Sequence, residues 1–175
     1  MTTLYDMMVP SYLQTLGAAA GVLDKGAKHF AAAGVDPDTV VSTRLFDDML
    51  PFSFQILSVC HHSRGALEGV KSGTFSPPAG IGPQTYAELQ ALVAETQAAV
   101  SALSPDEVNS WAGKDVFFDF GGRKLPFKAE GFLLSFSFPN FYFHATTAYD
   151  ILRTKGVPLG KRDFMGAMRM NLPAA

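Results

Sequence analysis

The chain contains a single cysteine, Cys60, which excludes an intramolecular disulfide and any CxxC zinc or redox motif. Such cysteine usage fits a reducing compartment. Charge is sparse: 14 basic and 16 acidic side chains leave a net charge of −2, spread without blocks. No phosphate-tracking surface follows from that pattern, which sets nucleic acid aside as a partner. Long hydrophobic runs are missing too. The longest apolar stretch, residues 132–143, is broken by Ser135, Ser137, Pro139 and Asn140 and is too short to span a bilayer. The first six residues lack a basic segment leading into an apolar one, so no signal peptide is read. These absences point to a cytoplasmic chain with no membrane partner. Internal repeats, low-complexity tracts, a HExxH zinc helix, a Walker loop and the GxGxxG and GxSxG signatures are likewise absent.

What is present is core. Hydrophobic residues make up 47% of the 175 residues, with 15 Phe against one Trp, enough for one domain spanning 1–175 without a stabilising disulfide or metal. Val9, Leu13, Leu16, Ala20, Leu23, Ala27 and Phe30 step by four and three, which predicts an amphipathic helix ended at Gly34. Pro10 is tolerable there only near the first turn. A second helix is expected from a first-turn Pro51, with Phe52, Ile56, Val59, Ser63, Ala66 and Val70 inward and Gly73 as its stop. A third, opened by Gly82-Pro83, carries Tyr86, Leu89, Val93, Thr96, Val100 and Leu103. Ser104-Pro105-Asp106-Glu107 reads as a capping box starting a short helix with Val108 and Trp111. Between Val116 and Phe127 the period becomes two, around Gly121-Gly122, as in a hairpin. Helical spacing returns with Leu133, Asn140, His144, Thr147 and Ile151, stopping near Gly156, with a kink expected at Pro139. The expected fold is all-α: four helices in a bundle with a hairpin-like insert before the last.

Four histidines carry most of the candidate chemistry. His29 lies near the end of the first helix, where its charge suits the helix dipole. His61 falls opposite the Phe52 stripe and is expected to face solvent, whereas His62 and Gln55, seven apart, share a shoulder of the inward face. On the last helix the spacing aims Asn140 and His144 at the bundle axis. Buried amides and imidazoles need partners, because an unsatisfied one costs about 1–3 kcal/mol, and Gln55 and His62 are the candidates. Two readings follow: a structural polar network, or a small-ligand or metal site within the bundle. Inward ExxH pairs of the di-iron type are absent. Cys60 and His61 diverge as helix neighbours, which disfavours a Cys–His catalytic pair. Phe132, Phe136, Phe138, Phe141, Tyr142 and Phe143 surround more than one side of the helix, so part of this cluster is expected to face a second copy in a homodimer.

Residues 139–153, PNFYFHATTAYDILR, closely resemble the signature of a bacterial family known as domain of unknown function 1993. So do residues 156–164, GVPLGKRDF, and the segment from Arg44-Leu45 through Asp48-Met49 with Gln55 following. That family is similar to the DinB/YfiT-like superfamily of four-helix bundles, which implies an up-down bundle. Many members of the superfamily bind a divalent metal through one histidine on the second helix and an HxxxH pair on the fourth, and some act as metal-dependent thiol transferases or hydrolases. Carried over by position, the second histidine of that pair matches His144 and the first falls on Asn140, while the second-helix ligand falls on Gln55 or His62. An Asn carboxamide is a poor ligand for zinc or nickel. The resemblance therefore implies a degenerate metal site with no metal and no cofactor. Gln55, His62, Asn140 and His144 would then form a pocket for a small-molecule ligand, or the chain would serve as a dimeric interaction protein. The alternative is a transferase or hydrolase with His144 as general base or weak metal ligand.

Overall fold

The computed structural model describes residues 1–78 and 84–171. Helix α1 (Leu4–Ala32) begins on a capping box in which the Thr3 hydroxyl accepts from the Asp6 N–H while the Asp6 carboxylate accepts from the Thr3 N–H. The helix therefore starts well before Pro10, which sits in its second turn at the cost of one backbone bond. Val9, Leu16, Leu23 and Phe30 of the expected stripe are buried, and Leu13, Ala20 and Ala27 are half-buried.

A 3-10 turn (Pro37–Val40) and a loop lead to α2 (Phe52–Cys60), which passes through a π turn (His61–Gly65) into α3 (Ala66–Ser72) without a break. Phe52, Ile56, Val59, Ser63, Ala66 and Val70 are all buried, as their spacing predicts. Gly73, at φ 85, ends the run in the left-handed conformation. Helix α4 (Tyr86–Ser101) starts on a second capping box, Thr85 with Glu88, and buries Tyr86, Leu89, Val93, Thr96 and Val100. The expected opening at Gly82-Pro83 lies outside the described residues. Ser104 caps α5 (Pro105–Asn109), and both Val108 and Trp111 are buried.

Strands β2 (Asp115–Phe120) and β3 (Arg123–Lys128) form the expected hairpin around Gly121-Gly122, whose φ values of 60 and 84 suit a two-residue turn. A further strand, β1 (Thr74–Phe75), pairs in parallel with β2, setting Phe75 opposite Phe118. The all-α expectation is corrected accordingly: the chain is mostly helical with a small three-stranded sheet. Two residues are too few to carry a period-two signal, so β1 exists only because β2 arrives beside it.

Helix α6 (Ala129–Phe132), a second π turn (Leu133–Ser137) and α7 (Phe138–Thr154) form the other long run. The widened turn stands directly before Pro139, where a backbone donor is missing and a kink was expected. A short α8 (Lys161–Met165), which carries no periodic signal, lies on α1 through Lys25 Nζ to Asp163 at 2.6 Å and Gln14 Nε2 to the Met165 carbonyl at 2.8 Å. Helix α2 packs mainly on α7, and α1 on α4. Among the described residues no helix is long and apolar enough to cross a membrane.

The two π turns meet in the core. Ser137 Oγ donates to the His62 carbonyl at 2.6 Å, so the Tyr12 hydroxyl, 2.7 Å from the same Oγ, is the donor to it. Tyr12 and Ser137 are both fully buried. Replacing Ser137 by Ala strands a phenol and a carbonyl away from water, and is expected to lower stability by about 1–3 kcal/mol. Denaturant unfolding of S137A checks this, and an unchanged unfolding free energy would show that the relay is not needed.

Candidate functional site

An open cleft of about 530 Å³, counted out to its solvent mouth, lies where the two π turns approach the sheet. Phe54, Ser58, His61 and His62 reach it from α2 and the first π turn. Phe75 and Phe118 reach it from the sheet, Phe136 from the second π turn, and Asn140 and His144 from α7.

Gln55 is only 2% exposed, and its amide is oriented by its surroundings. Nε2 donates to the Leu50 carbonyl at 2.7 Å, so Oε1 must accept. The His144 Nδ1 lies 2.7 Å from that Oε1 and is therefore the protonated nitrogen, leaving Nε2 bare. A backbone carbonyl on the loop before α2 thus sets the tautomer of a histidine on α7.

His62 faces His144 with nearly parallel rings, 5.9 Å between centroids and 15° between planes. It is 8% exposed and packs against Phe75 and Phe136. Its Nδ1 is buried with no hydrogen-bond partner, alone in this respect among the described residues. Burial pushes the His62 imidazole down to about 3, with His144 and His61 adding to the shift. Burial alone pushes His144 down to about 4. Both rings are neutral at neutral pH.

The other expectations for this region divide. His144 and Gln55 are brought together as the spacing implied, but Asn140 does not join them: its Nδ2 donates to the Phe136 carbonyl of its own helix at 2.7 Å. Its side chain borders the cleft, and the anticipated Gln–Asn–His network is reduced to a Gln–His pair. His62 partners neither Gln55 nor Asn140. His61, expected in solvent, is half-buried on the ring of Phe75 at 4.4 Å, and its Nε2 donates to the Ser76 carbonyl at 2.8 Å. Gly65 makes that placement possible, since a Cβ there would come 2.9 Å from His61 Nδ1. The cleft role of His61 escapes a helical wheel because the π turn begins at that residue and changes the angular step. Cys60 is buried, and burial raises its thiol to about 11, which leaves it unreactive.

The donors present do not fit the three-imidazole centre of the superfamily's metal-binding members. Asn140 offers a carboxamide in place of an imidazole, and His62 stacks on His144 instead of converging with it, which leaves the bare His144 Nε2 without a matching pair of imidazoles. Among the described residues no three His, Cys, Asp or Glu side chains are grouped to hold a metal ion.

Two measurements follow. Nitrogen-15 spectra at neutral pH are expected to show His144 protonated on Nδ1 and bare on Nε2, and the opposite tautomer would mean that the Gln55 amide is turned round. The buried imidazoles also make stability pH-dependent. Above about pH 6.5 neither the folded nor the unfolded chain holds a proton on them; below it the unfolded chain takes protons up first, because the folded values are lower. Stability is therefore expected to fall as the pH drops from about 6.5 towards 4 for His144 and towards 3 for His62. Denaturant midpoints at a pH of about 7 and about 5 test the sign, and equal midpoints would contradict it.

The family described as a domain of unknown function (DUF1993) matches residues 4–165 of the chain. No curated protein matches it. Among solved structures, it is similar to the crystal structure of a DinB family member protein from Shewanella denitrificans, with 26% identity and a TM-score of 0.81 over 97% of this chain and 96% of that one. The chain belongs to the DUF1993 family, within the DinB-like superfamily.

Proposed function

We propose that this DinB-like protein is a metal-free small-molecule-binding protein whose ligand occupies the cleft against His62 and His144. On this reading α1, the α2–α3 run, α4 and the α6–α7 run are the four helices of an up-down bundle. The observation that carries the proposal is the unpartnered Nδ1 of His62. A buried polar atom without a partner costs about 1–3 kcal/mol, and at this position a phenylalanine would match the aromatic neighbours Phe75 and Phe136 without that cost. An imidazole held there at a loss of stability is accounted for by recognition. The two π turns beside the cleft add support, since such turns recur at functional sites.

A second reading, a transferase or hydrolase with His144 as general base, draws on the bare Nε2 that Gln55 orients towards its task. Against it stands the depression of His144 to about 4, which makes the imidazole a weak base at neutral pH. Binding is therefore favoured over catalysis. The test is His62→Phe, expected to hold or raise the thermal midpoint, by an amount equivalent to about 1 kcal/mol. A clear loss of stability would make His62 a structural residue and remove the basis of the proposal. Elemental analysis of the same wild-type preparation is expected to find far less than one zinc or nickel per chain, and a full equivalent would overturn the metal-free part.

A further inference from the structure

We infer that the ligand of this cleft is an uncharged aromatic molecule carrying an N–H or O–H donor, seated with that donor on His144 Nε2 and its ring among the phenylalanines. The inference rests on the binding reading given above and adds the chemical class of the ligand.

The first observation is the absence of charge. Among the described residues no Lys, Arg, Asp or Glu lines the cleft, so a carboxylate, phosphate or ammonium entering it would lose hydration without gaining a counter-charge. The facing rings of His62 and His144 supply none either, since no carboxylate lines the cleft beside them.

The second is the shape and chemistry of the walls. Phe54 meets the edge of His144 at 5.9 Å, and Phe75 and Phe136 flank His62 at 5.5 and 5.7 Å. Phe118 packs on Phe136 at 4.7 Å and closes the sheet side. Ring faces and edges at several tilts favour a flat aromatic guest over an aliphatic one of equal size.

The third is the sign of the hydrogen bonding. The chain of bonds from Leu50 through Gln55 leaves His144 Nε2 as an acceptor. Asn140 gives one amide hydrogen to the Phe136 carbonyl and keeps a second donor beside Oδ1, so it imposes no sign. Ser58 and His62 can each play either part and so impose no sign. The oriented atom, His144 Nε2, is an acceptor, and its complement is a donor. His62, a cleft-lining residue more than nine-tenths enclosed, also keeps a buried Nδ1 that no protein group among the described residues satisfies.

The test uses five ring probes that differ in one group: phenol, anisole, toluene, benzoate and benzylammonium, each titrated into the full chain and followed by the nitrogen and carbon resonances of His62 and His144. Phenol is expected to bind about tenfold or more tightly than anisole, the difference one hydrogen bond supplies, and to shift His144 Nε2 as it does so. Benzoate and benzylammonium are expected to bind more weakly than toluene. In His144→Phe the phenol preference is expected to vanish while anisole binding is retained; should that variant not fold, the Nε2 shift in the wild-type chain decides the same point. Binding of benzoate, benzylammonium or anisole at the cleft as tightly as phenol overturns the inference and leaves the binding reading standing. If no probe of any charge moves the cleft resonances, both fall together.

Discussion

The buried relay from the Tyr12 hydroxyl through Ser137 to the carbonyl of His62 is the contact on which the arrangement of this molecule depends. A π turn disturbs the regular bonding of a helix, and in a core without water every displaced carbonyl needs another donor. Ser63 meets part of that need within its own helix, reaching the Val59 carbonyl at 2.8 Å. The His62 carbonyl is met from the opposite helix by Ser137, which is itself in a π turn and is held by a tyrosine on α1. Three helical runs are thereby locked at one depth, and the extra residue in each turn swings imidazoles and phenylalanines towards the sheet.

From that lock the cleft follows. The first π turn places His61 and His62 side by side on Phe75, and the second places Phe136 beside them and Asn140 and His144 just beyond. Gly69 permits the last approach, because a Cβ there would meet the Phe75 side chain at 2.9 Å. The site that results is neutral, aromatic and ordered through hydrogen bonds instead of ion pairs. The four ion pairs among the described residues lie at the surface, where such pairs contribute little. The polar interior is where orientation is specified: one backbone carbonyl decides the face of the Gln55 amide, and that amide decides which nitrogen of His144 bears the proton.

Regular helix was legible from spacing alone wherever helix was regular. The inward stripes of α1, the α2–α3 run and α4 were found because an apolar step of three and four has no other good explanation, and the hairpin was found because Gly121-Gly122 interrupts a period of two. Legibility failed at the π turns. A wheel drawn at a constant angle carried His61 out to solvent and Asn140 into the axis, whereas the wider turns bring His61 inward and leave Asn140 bonded to its own helix. The aromatic walls went unread for a related reason: Phe54, Phe118 and Phe136 come from three elements, and nothing local tells a core phenylalanine from one at the edge of a cleft.

By itself, then, the amino-acid order determined the helices, their inward faces, the hairpin and the inward placement of Gln55 and His62, because periodicity and side-chain chemistry act over a few residues or along one face. Tertiary structure alone decided that β1 exists, that two turns widen to admit the relay and that His62 is left with a buried nitrogen and no partner. Those features depend on contacts between residues far apart in the chain, such as Tyr12 with Ser137 and Ser137 with His62. A hydrogen bond across the core has no period along the sequence, so only the folded chain reveals it.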